Sequence, residues 1–244
     1  MTEPQPFSYE NFRQILADVN SRGYQFCRFD CRPRDDQRQF YLRHDVDISP
    51  SCALRLGRIA AEMGIRSNFF FQLNADTYNA FSESCLEIMT ELRSVGHCVG
   101  LHLDEHFIGS DEEKVRHTLR WFSECCVPVD GAVSFHRPSE AVLGRDFDAF
   151  ASGYGSRVWG EDRYLSDSRR SWEFRGRLDE WLTVGRSPIQ LLLHPEWWHP
   201  HQTAVAVWED LRARRENELA KYMVSNFEKV FAAVITPEER VFGM

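Results

Sequence analysis

The most informative stretch of the sequence is Arg43-His44-Asp45-Val46-Asp47, which closes an apolar run that begins at Phe40. A second polar cluster, His102-Leu103-Asp104-Glu105-His106, closes another apolar run further along the chain. Zinc and similar divalent ions bind imidazole nitrogen and carboxylate oxygen, and a catalytic site commonly uses three protein ligands and keeps one position open for water. One carboxylate and two histidines from these clusters would satisfy that requirement.

Length and composition favour one large domain. The chain has 244 residues, of which 43% are hydrophobic and 13% aromatic, so it can bury a sizeable core. No Gly/Ser/Pro-rich linker, low-complexity tract or repeat divides the sequence, and we expect a single domain over residues 1–244. The formal net charge of −8 argues against nucleic acid as a partner, because phosphate backbones are bound by clustered Lys and Arg.

The sequence also bears on the compartment. The N-terminus lacks a basic region followed by an apolar core, so we expect no signal peptide. The apolar runs are far shorter than the roughly 18 residues that a membrane span needs. The seven cysteines are an odd number without framework spacing, which favours reduced thiols over disulfides or a zinc quartet. We therefore expect a soluble, cytoplasmic protein, and the sequence leaves its oligomeric state open.

Strand and helix patterns alternate along the chain, which predicts an α/β protein with a parallel sheet or barrel and helices outside it. The predicted helices cover residues 9–21, 49–64, 81–95, 112–126 and 203–234, and the predicted strands cover 25–29, 40–46, 66–72, 98–103, 133–136 and 189–194. Residues 143–180 are expected to form a loop-rich layer. For the long C-terminal helix we expect an inner side made of Val205, Trp208, Leu211, Leu219, Tyr222, Met223 and Phe227. Ligands of such folds bind at the carboxyl ends of the strands.

The two polar clusters lie at the ends of predicted strands. Asp45 and Asp47 are two residues apart, so both carboxylates face one side of a strand and His44 faces the other. His102 closes the next candidate strand, and His106 can reach the same point if a turn of helix begins there. These side chains are therefore candidates for a shared site.

Two further strand ends carry His136-Arg137-Pro138 and, after three leucines, His194. Taken singly, each polar residue has an ordinary structural interpretation: aspartates cap helices and form turns, arginines form ion pairs, and histidines lie at the surface or in the core. The functional interpretation rests on convergence, because the polar residues recur at the carboxyl ends of strands, where catalytic residues of such barrels lie.

Over residues 39–200 the chain resembles the polysaccharide deacetylase family, which is carbohydrate esterase family 4 with the NodB homology domain. Five motifs of that family have counterparts here in the same order: Asp45 with Asp47, His102 with His106, Arg137-Pro138, Asp167 with Trp172, and Leu192-Leu193-His194. The resemblance implies a distorted (β/α) barrel of the NodB-homology type, with residues 39–200 as its motif-bearing core.

The resemblance also implies one divalent metal ion, with zinc as the first expectation and cobalt, nickel, manganese or iron as the other candidates. Its ligands would be Asp47, His102 and His106. The two aspartates of the family's first motif are adjacent, whereas Val46 separates them here. Which of Asp45 and Asp47 binds the metal therefore stays open, and we assign Asp47 to it.

The same resemblance implies the remaining roles. Asp45, steadied by Arg137, would be the catalytic base, and His194 would be the general acid that protonates the leaving nitrogen. The residues expected to contact the substrate are His136, Asp167, Trp172, Trp197 and Trp198.

These roles predict a metal-dependent hydrolase that cleaves a C–N amide bond. The stretches Ser166-Asp167-Ser168 and His194-Pro195-Glu196-Trp197-Trp198 are most similar to intracellular deacetylase-like proteins associated with bacterial surface-polysaccharide synthesis. The expected reaction is N-deacylation of an amino sugar that is either a small molecule or linked to a carrier. The residues do not name the acyl group or the sugar.

Two other classes of protein fit part of the pattern. Two histidines and one carboxylate also bind iron in non-haem oxygenases, although those enzymes typically have an all-β scaffold. A catalytically silent glycan-binding or scaffold protein could retain the same fold. Asp45, Arg137 and His194 together argue against it, since sugar binding requires neither a base nor an acid.

Overall fold

The structure is a computed structural model that describes residues 5–31, 36–200 and 203–235. The chain divides into two compact units, Met1–Pro200 and His201–Met244. All the strands of the described residues, and with them the core predicted over 39–200, lie in the first unit. In these described ranges no helix has the length and apolar character that crossing a membrane requires.

The first unit is built on a parallel sheet, as the alternating pattern predicts. The strands are β1 Gln25–Phe26, β2 Gln39–Val46, β3 Asn68–Gln72, β4 Cys98–Asp104, β5 Ala132–His136, β6 Ala151–Ser152, β7 Tyr164–Ser166 and β8 Ile189–Leu193. Their order is β6-β5-β4-β3-β2-β8-β7, and β1 also pairs with β2. Every recorded strand pair is parallel. Because β6 and β7 are the two edge strands of this order, the sheet forms an incomplete barrel. The predicted distorted (β/α) barrel is confirmed.

α-Helices accompany the strands; the first precedes β1, and the others connect one strand to another. They are α1 Tyr9–Ser21, α2 Pro50–Glu62, α3 Glu83–Ser94, α4 Glu112–Cys125 and α5 Phe174–Val184. The predicted start of α2 is confirmed: the Ser49 hydroxyl accepts a hydrogen bond from the Cys52 amide at 3.4 Å, and Pro50 occupies the first turn. The stretch 143–180, which was predicted to be a loop-rich layer, contains β6, β7 and the first part of α5. The prediction was wrong in that it missed these three elements.

Strand β2 shows how the period of two separates polar from apolar side chains. Arg43 and Asp45 lie on one face of the sheet, where both contact Ser134 of β5. On the opposite face the ring of His44 stacks on Phe69, with the ring centroids 4.3 Å apart. Burial lowers the pKa of His44 to about 3, so this ring is neutral. We call the face that bears Arg43 and Asp45 the inner face.

The outer face is apolar and carries the helices. One buried cluster includes alternate residues of β2 and β8, namely Phe40, Leu42, Ile189, Leu191 and Leu193. A second buried cluster includes alternate residues of β3, β4 and β5, namely Phe69, Phe71, Val99, Leu101, Leu103, Val133 and Phe135. Parallel strands covered by helices are buried along their length, and β2 and β8 are buried at every position. The inner positions of these same strands are therefore the ones available for a site.

The inner face is narrow at Gly100 in β4. A Cβ atom at this position would lie 2.4 Å from the carbonyl oxygen of Ala132 and 2.8 Å from the ring of Phe70. Backbone and ring can approach this closely only where residue 100 has no side chain.

An ion-pair network lies at the amino end of the sheet. Asp130, which precedes β5, accepts hydrogen bonds from Arg28 at 2.8 Å, from Arg93 at 2.6 Å and from the Val99 amide at 2.7 Å. The Asp130 side chain is only 9% exposed, so these bonds satisfy a nearly buried carboxylate. The network ties α3 and the segment after β1 to the beginning of β4.

The second unit consists of α6 Ala204–Asn226 and α7 Glu228–Phe231. The predicted C-terminal helix is present, and the Thr203 hydroxyl caps its N-terminus by accepting the Ala206 amide. The predicted inner side is wrong, because most of its members are exposed: Val205, Trp208, Leu219, Tyr222 and Phe227. The buried apolar residue of α6 is Val207.

Candidate active site

Three residues that can bind a metal converge at the carboxyl ends of the inner face. Asp47, His102 and His136 each offer one donor atom, and these atoms lie within 4.8 Å of one another. Asp47 Oδ1 is buried, and its contact with His102 Nε2, at 3.2 Å, lacks the geometry of a hydrogen bond. One carboxylate and two imidazoles form a donor set that zinc and its relatives accept, and a metal ion would give this buried carboxylate oxygen a partner. The residues therefore fit a divalent metal ion.

The third member of this group is His136, which was predicted to contact substrate, rather than His106. Strand β4 remains extended through Asp104, and the chain then turns, with the His106 amide donating to the Asp104 carboxylate at 2.8 Å. The turn begins only at Asp104, where the Ile108 amide donates to the Asp104 carbonyl at 3.0 Å. It starts too late to bring His106 back towards His102, and His106 is exposed. Burial and the neighbouring His102 lower the pKa of His136, which favours the neutral ring that binds metals.

Asp45 forms a buried ion pair with Arg43. The guanidinium donates from Nε to Asp45 Oδ1 at 2.9 Å and from Nη2 to Asp45 Oδ2 at 2.7 Å. The Arg43 side chain is fully buried and the Asp45 side chain is 3% exposed. Burial alone would raise the pKa of Asp45, but the charge of Arg43 outweighs it and holds that pKa well below its usual range.

This pairing corrects one predicted contact. The resemblance implied that Arg137 steadies Asp45, whereas the structure assigns that contact to Arg43. Arg137 follows β5, has a backbone φ of 50° and is exposed. The chain therefore leaves the strand conformation at Arg137, the residue whose guanidinium was predicted to point inwards. A catalytic role for Arg137 stays a prediction.

Ser134 connects the ion pair to His102. Its hydroxyl lies 3.0 Å from Asp45 Oδ2 and 2.8 Å from His102 Nδ1, and it also accepts from Arg43 Nη2. Ser134 is buried, as are the three residues that it contacts. The ring of His102 is thus held from behind while its Nε2 faces Asp47.

His194 is held by Asp167. The His194 Nδ1 atom lies 2.7 Å from Asp167 Oδ1, and the backbone amide of His194 donates to the same carboxylate. On its other side, His194 Nε2 lies 3.9 Å from Asp47 Oδ2. Burial lowers the pKa of His194, but the hydrogen bond to Asp167 and its charge outweigh burial and raise the pKa to about 10. His194 therefore presents a protonated ring to the metal-binding group.

The three tryptophans that were predicted to contact the substrate are all partly or fully buried. Trp198 is 1% exposed and donates from Nε1 to Asp167 Oδ2 at 3.0 Å, so it positions the carboxylate from within the core. Trp172 is partly buried and packs edge to face against Phe7 at 5.0 Å. Trp197 is also partly buried against the same apolar cluster. Sequence reasoning could not distinguish these core contacts from an exposed sugar-binding surface, and substrate contacts by the three tryptophans stay predictions.

A second group of metal-binding residue types, Asp30, Cys98 and Asp130, lies at the amino end of the sheet. Both carboxylates are already paired: Arg28 bridges Asp30 and Asp130, and Arg93 also donates to Asp130. Burial raises the pKa of Cys98, which keeps the thiol protonated. This group is therefore an ion-pair network, and the protonated thiol of Cys98 is not the form that binds a metal.

Two residues of the site were missed, although the sequence carries a signal for both. Arg43 lies two residues before Asp45, and Ser134 lies two residues before His136. The period of two places each on the same inner face as the residue that follows it. Applying that period backwards from each strand end would have found both.

The described strands thus form an incomplete parallel (β/α) barrel with a candidate metal-binding group at its carboxyl end. No protein-family model matches the chain, and no curated protein does. Among solved structures, the chain is similar to a peptidoglycan deacetylase of Bdellovibrio bacteriovorus, with 15% identity and a TM-score of 0.44 over 79% of this chain and 56% of that one. It is also similar to a family 4 carbohydrate esterase of Bacillus anthracis, with 14% identity and a TM-score of 0.43 over 82% and 86% of the two chains.

A third similar structure is a family 4 pseudoenzyme from Bacillus anthracis, with 12% identity and a TM-score of 0.42 over 76% of this chain and 63% of that one. At 12–15% identity, these are similarities of fold.

Proposed function

We propose that the protein is a metal-dependent hydrolase that removes the N-acyl group of an amino sugar. The observation that carries this proposal is the juxtaposition of Asp47, His102 and His136 with the His194–Asp167 pair at one end of the sheet. A donor set for a divalent ion beside a protonated histidine is a combination suited to amide hydrolysis, because such an ion activates water and the leaving nitrogen needs a proton.

The ion would be held by Asp47, His102 and His136. When bound, a divalent ion of this kind polarises the amide carbonyl and lowers the pKa of water. The chain itself supplies the orientation: Ser134 holds the ring of His102 from behind, and the Gln72 amide lies 3.1 Å from His136 Nδ1. The contact with Ser134 therefore fixes His102 on the side away from Asp47, and the contact with Gln72 helps to hold the ring of His136.

His194 would act as the general acid. Its Nδ1 is engaged by Asp167, so the proton on Nε2, on the side of Asp47, is the one available to a leaving amine. Asp167 is fully buried and is also bonded by the indole of Trp198, which fixes the carboxylate. The ring can therefore release and regain a proton without changing its orientation.

The substrate class comes from the resemblance of the five motifs to polysaccharide deacetylases. We propose an N-acylated amino sugar, either small or carrier-linked, in the cytoplasmic synthesis of a bacterial surface polysaccharide. The test of this class is a screen of N-acetyl and N-formyl amino sugars, free and nucleotide-linked, with detection of the amine released. Turnover of none of them by metal-loaded protein would contradict the proposal.

The metal is tested first, by mass spectrometry of purified protein. We expect about one equivalent of zinc or a related ion in the wild type, loss of it in His102→Ala and in His136→Ala, and retention in His106→Ala. The His106 variant is the matched control, because it removes an exposed imidazole close by in sequence. Absence of metal from reconstituted wild type would instead favour a silent glycan-binding protein.

The donor set also leaves a second reaction to be tested. Asp47, His102 and His136 are two histidines and one carboxylate, the ligand set of non-haem iron oxygenases. The parallel α/β sheet differs from the all-β scaffold expected of those enzymes. Iron-loaded protein should consume no oxygen in the presence of a 2-oxo acid. Oxygen consumption would instead identify the protein as a non-haem iron oxygenase.

A further inference from the structure

Ser134 occupies the centre of a buried hydrogen-bond network. Its hydroxyl oxygen contacts Arg43 Nη2, Asp45 Oδ2 at 3.0 Å and His102 Nδ1 at 2.8 Å. A serine hydroxyl has one proton to donate and two lone pairs that accept. Three contacts therefore use its whole hydrogen-bonding capacity.

The partners of Ser134 decide the direction of each bond. A guanidinium can only donate, so Arg43 donates to the hydroxyl. The carboxylate of Asp45, already paired with Arg43, can only accept, so Ser134 donates its single proton there. The remaining lone pair of Ser134 must accept, and the only donor left is a proton on Nδ1 of His102.

The position of this proton determines what the other side of the ring can do. With the proton on Nδ1, the Nε2 atom of a neutral His102 carries a lone pair, and it faces Asp47 Oδ1 at 3.2 Å. A lone pair and a carboxylate oxygen at this distance repel each other unless a proton or a metal ion lies between them. The network therefore prepares Nε2 to bind a metal.

We propose that Ser134 is a positioning residue that fixes His102 in its Nδ1-protonated form, with the Arg43–Asp45 pair fixing the direction of the serine proton. This inference rests on the proposed function and deepens it. It also gives Asp45 a role other than the predicted base: both of its oxygens are engaged, and its side chain is 3% exposed, so it lies behind His102 instead of facing the substrate.

The experiment compares Ser134→Ala, Ser134→Thr and the wild type. Zinc affinity is measured by competition with a chromophoric chelator, and the His102 ring is observed by long-range ¹H–¹⁵N NMR of ¹⁵N-histidine-labelled protein. We expect Ser134→Ala to bind zinc about 10–100-fold more weakly, as loss of an outer hydrogen bond to a metal ligand typically does. The Nδ1-protonated pattern of His102 should be replaced by a mixture of forms. Ser134→Thr, which keeps the hydroxyl, should restore both.

Ser67→Ala is the matched control. Its hydroxyl lies 3.2 Å from Nδ1 of His97 in another buried serine–histidine pair, and His97 Nε2 contacts the Gly57 carbonyl outside the site. This variant should bind zinc as the wild type does. Circular dichroism of each variant establishes that it is folded. If Ser134→Ala does not fold, the His102 spectrum of the wild type decides the proposal, because an Nε2-protonated pattern would overturn it.

The outcomes separate this inference from the proposed function. Wild-type zinc affinity and an unchanged His102 spectrum in Ser134→Ala would overturn the role of Ser134 while leaving the hydrolase proposal intact. Failure of the wild type to bind zinc would overturn the hydrolase proposal. In that case the His102 spectrum of metal-free protein at alkaline pH, with and without the hydroxyl, would still decide whether Ser134 fixes the ring.

Discussion

Replacing Arg43 by methionine should destabilise the protein more than any surface substitution. The guanidinium makes two hydrogen bonds to Asp45, donates to the Gly153 carbonyl at 3.1 Å, and lies over the ring of Tyr154 at 4.3 Å. Methionine fills part of the volume but supplies no donor and no charge. The change therefore leaves the Asp45 carboxylate buried without its counter-ion.

The expected magnitude follows from that loss. Removing one partner of a buried ion pair typically costs about 3–5 kcal/mol. For a chain of 244 residues, each kcal/mol lowers Tm by about 2–4 °C, so Arg43→Met should lower it by about 6–20 °C. The loss should be smaller at acidic pH, because an unpaired buried carboxyl has a raised pKa and is neutral there.

Thermal unfolding followed by circular dichroism measures this effect. Arg116→Met is the matched control, because Arg116 forms an exposed pair with Glu113 and such pairs contribute little to stability. The double variant Arg43→Met/Asp45→Asn should recover part of the loss, because it removes the stranded charge. A Tm for Arg43→Met equal to that of the control would refute the reasoning.

Two further predictions concern Asp167 and Gly100. Asp167→Asn should lower the pKa of His194 from about 10 towards about 6.5, its ordinary value, as an NMR titration would show. The pKa of His194 is higher in the folded protein than in the unfolded chain. The stabilisation that its protonation provides is therefore complete below about pH 6.5 and is lost as pH rises through about 10. An unchanged pH dependence of unfolding in Asp167→Asn would contradict this. Gly100→Ala should cost about 1–3 kcal/mol, since its Cβ would meet the Ala132 carbonyl at 2.4 Å. Gly176→Ala, in helix α5 with no atom near its Cβ, should instead stabilise by about 0.5–1 kcal/mol, and equal denaturation midpoints for these two variants would be inconsistent with the packing described.

The sequence predicts the elements around the strands well, because local signals specify them. Residues 9–21 form the predicted first helix, and Ser49 caps α2 as its position before Pro50 predicts. Asp45 and His44 face opposite sides of β2, as the period of two requires.

The site is predicted less well wherever its geometry depends on the backbone beyond a strand. The spacing of His102 and His106 fits a metal-binding pair only in a helix, and nothing in the spacing shows that β4 remains extended to Asp104. His136 joins His102 because β4 and β5 are neighbours in the sheet, with His102 paired to Ser134. Such proximity between strands is a property of the sheet order, which local sequence does not specify.

The long C-terminal helix shows a second limit of prediction from sequence. Its apolar residues occur at spacings that suggest an inner face, yet Trp208 and Tyr222 are 65% and 59% exposed. Helical periodicity identifies a stripe of side chains, but it does not determine which stripe is covered. Only Val207, between the predicted positions, is buried in α6.

The Asp130 network has a consequence for how this protein could be altered. Its bonds to Arg28, Arg93 and the Val99 amide hold the strands together at their amino ends, while the candidate ligands lie at the opposite ends of the same strands. In barrels of this kind, the amino end serves stability and the carboxyl end serves chemistry. An engineer could therefore strengthen one end of the scaffold for heat resistance and redesign the other for a new substrate, as two separable tasks on a single sheet.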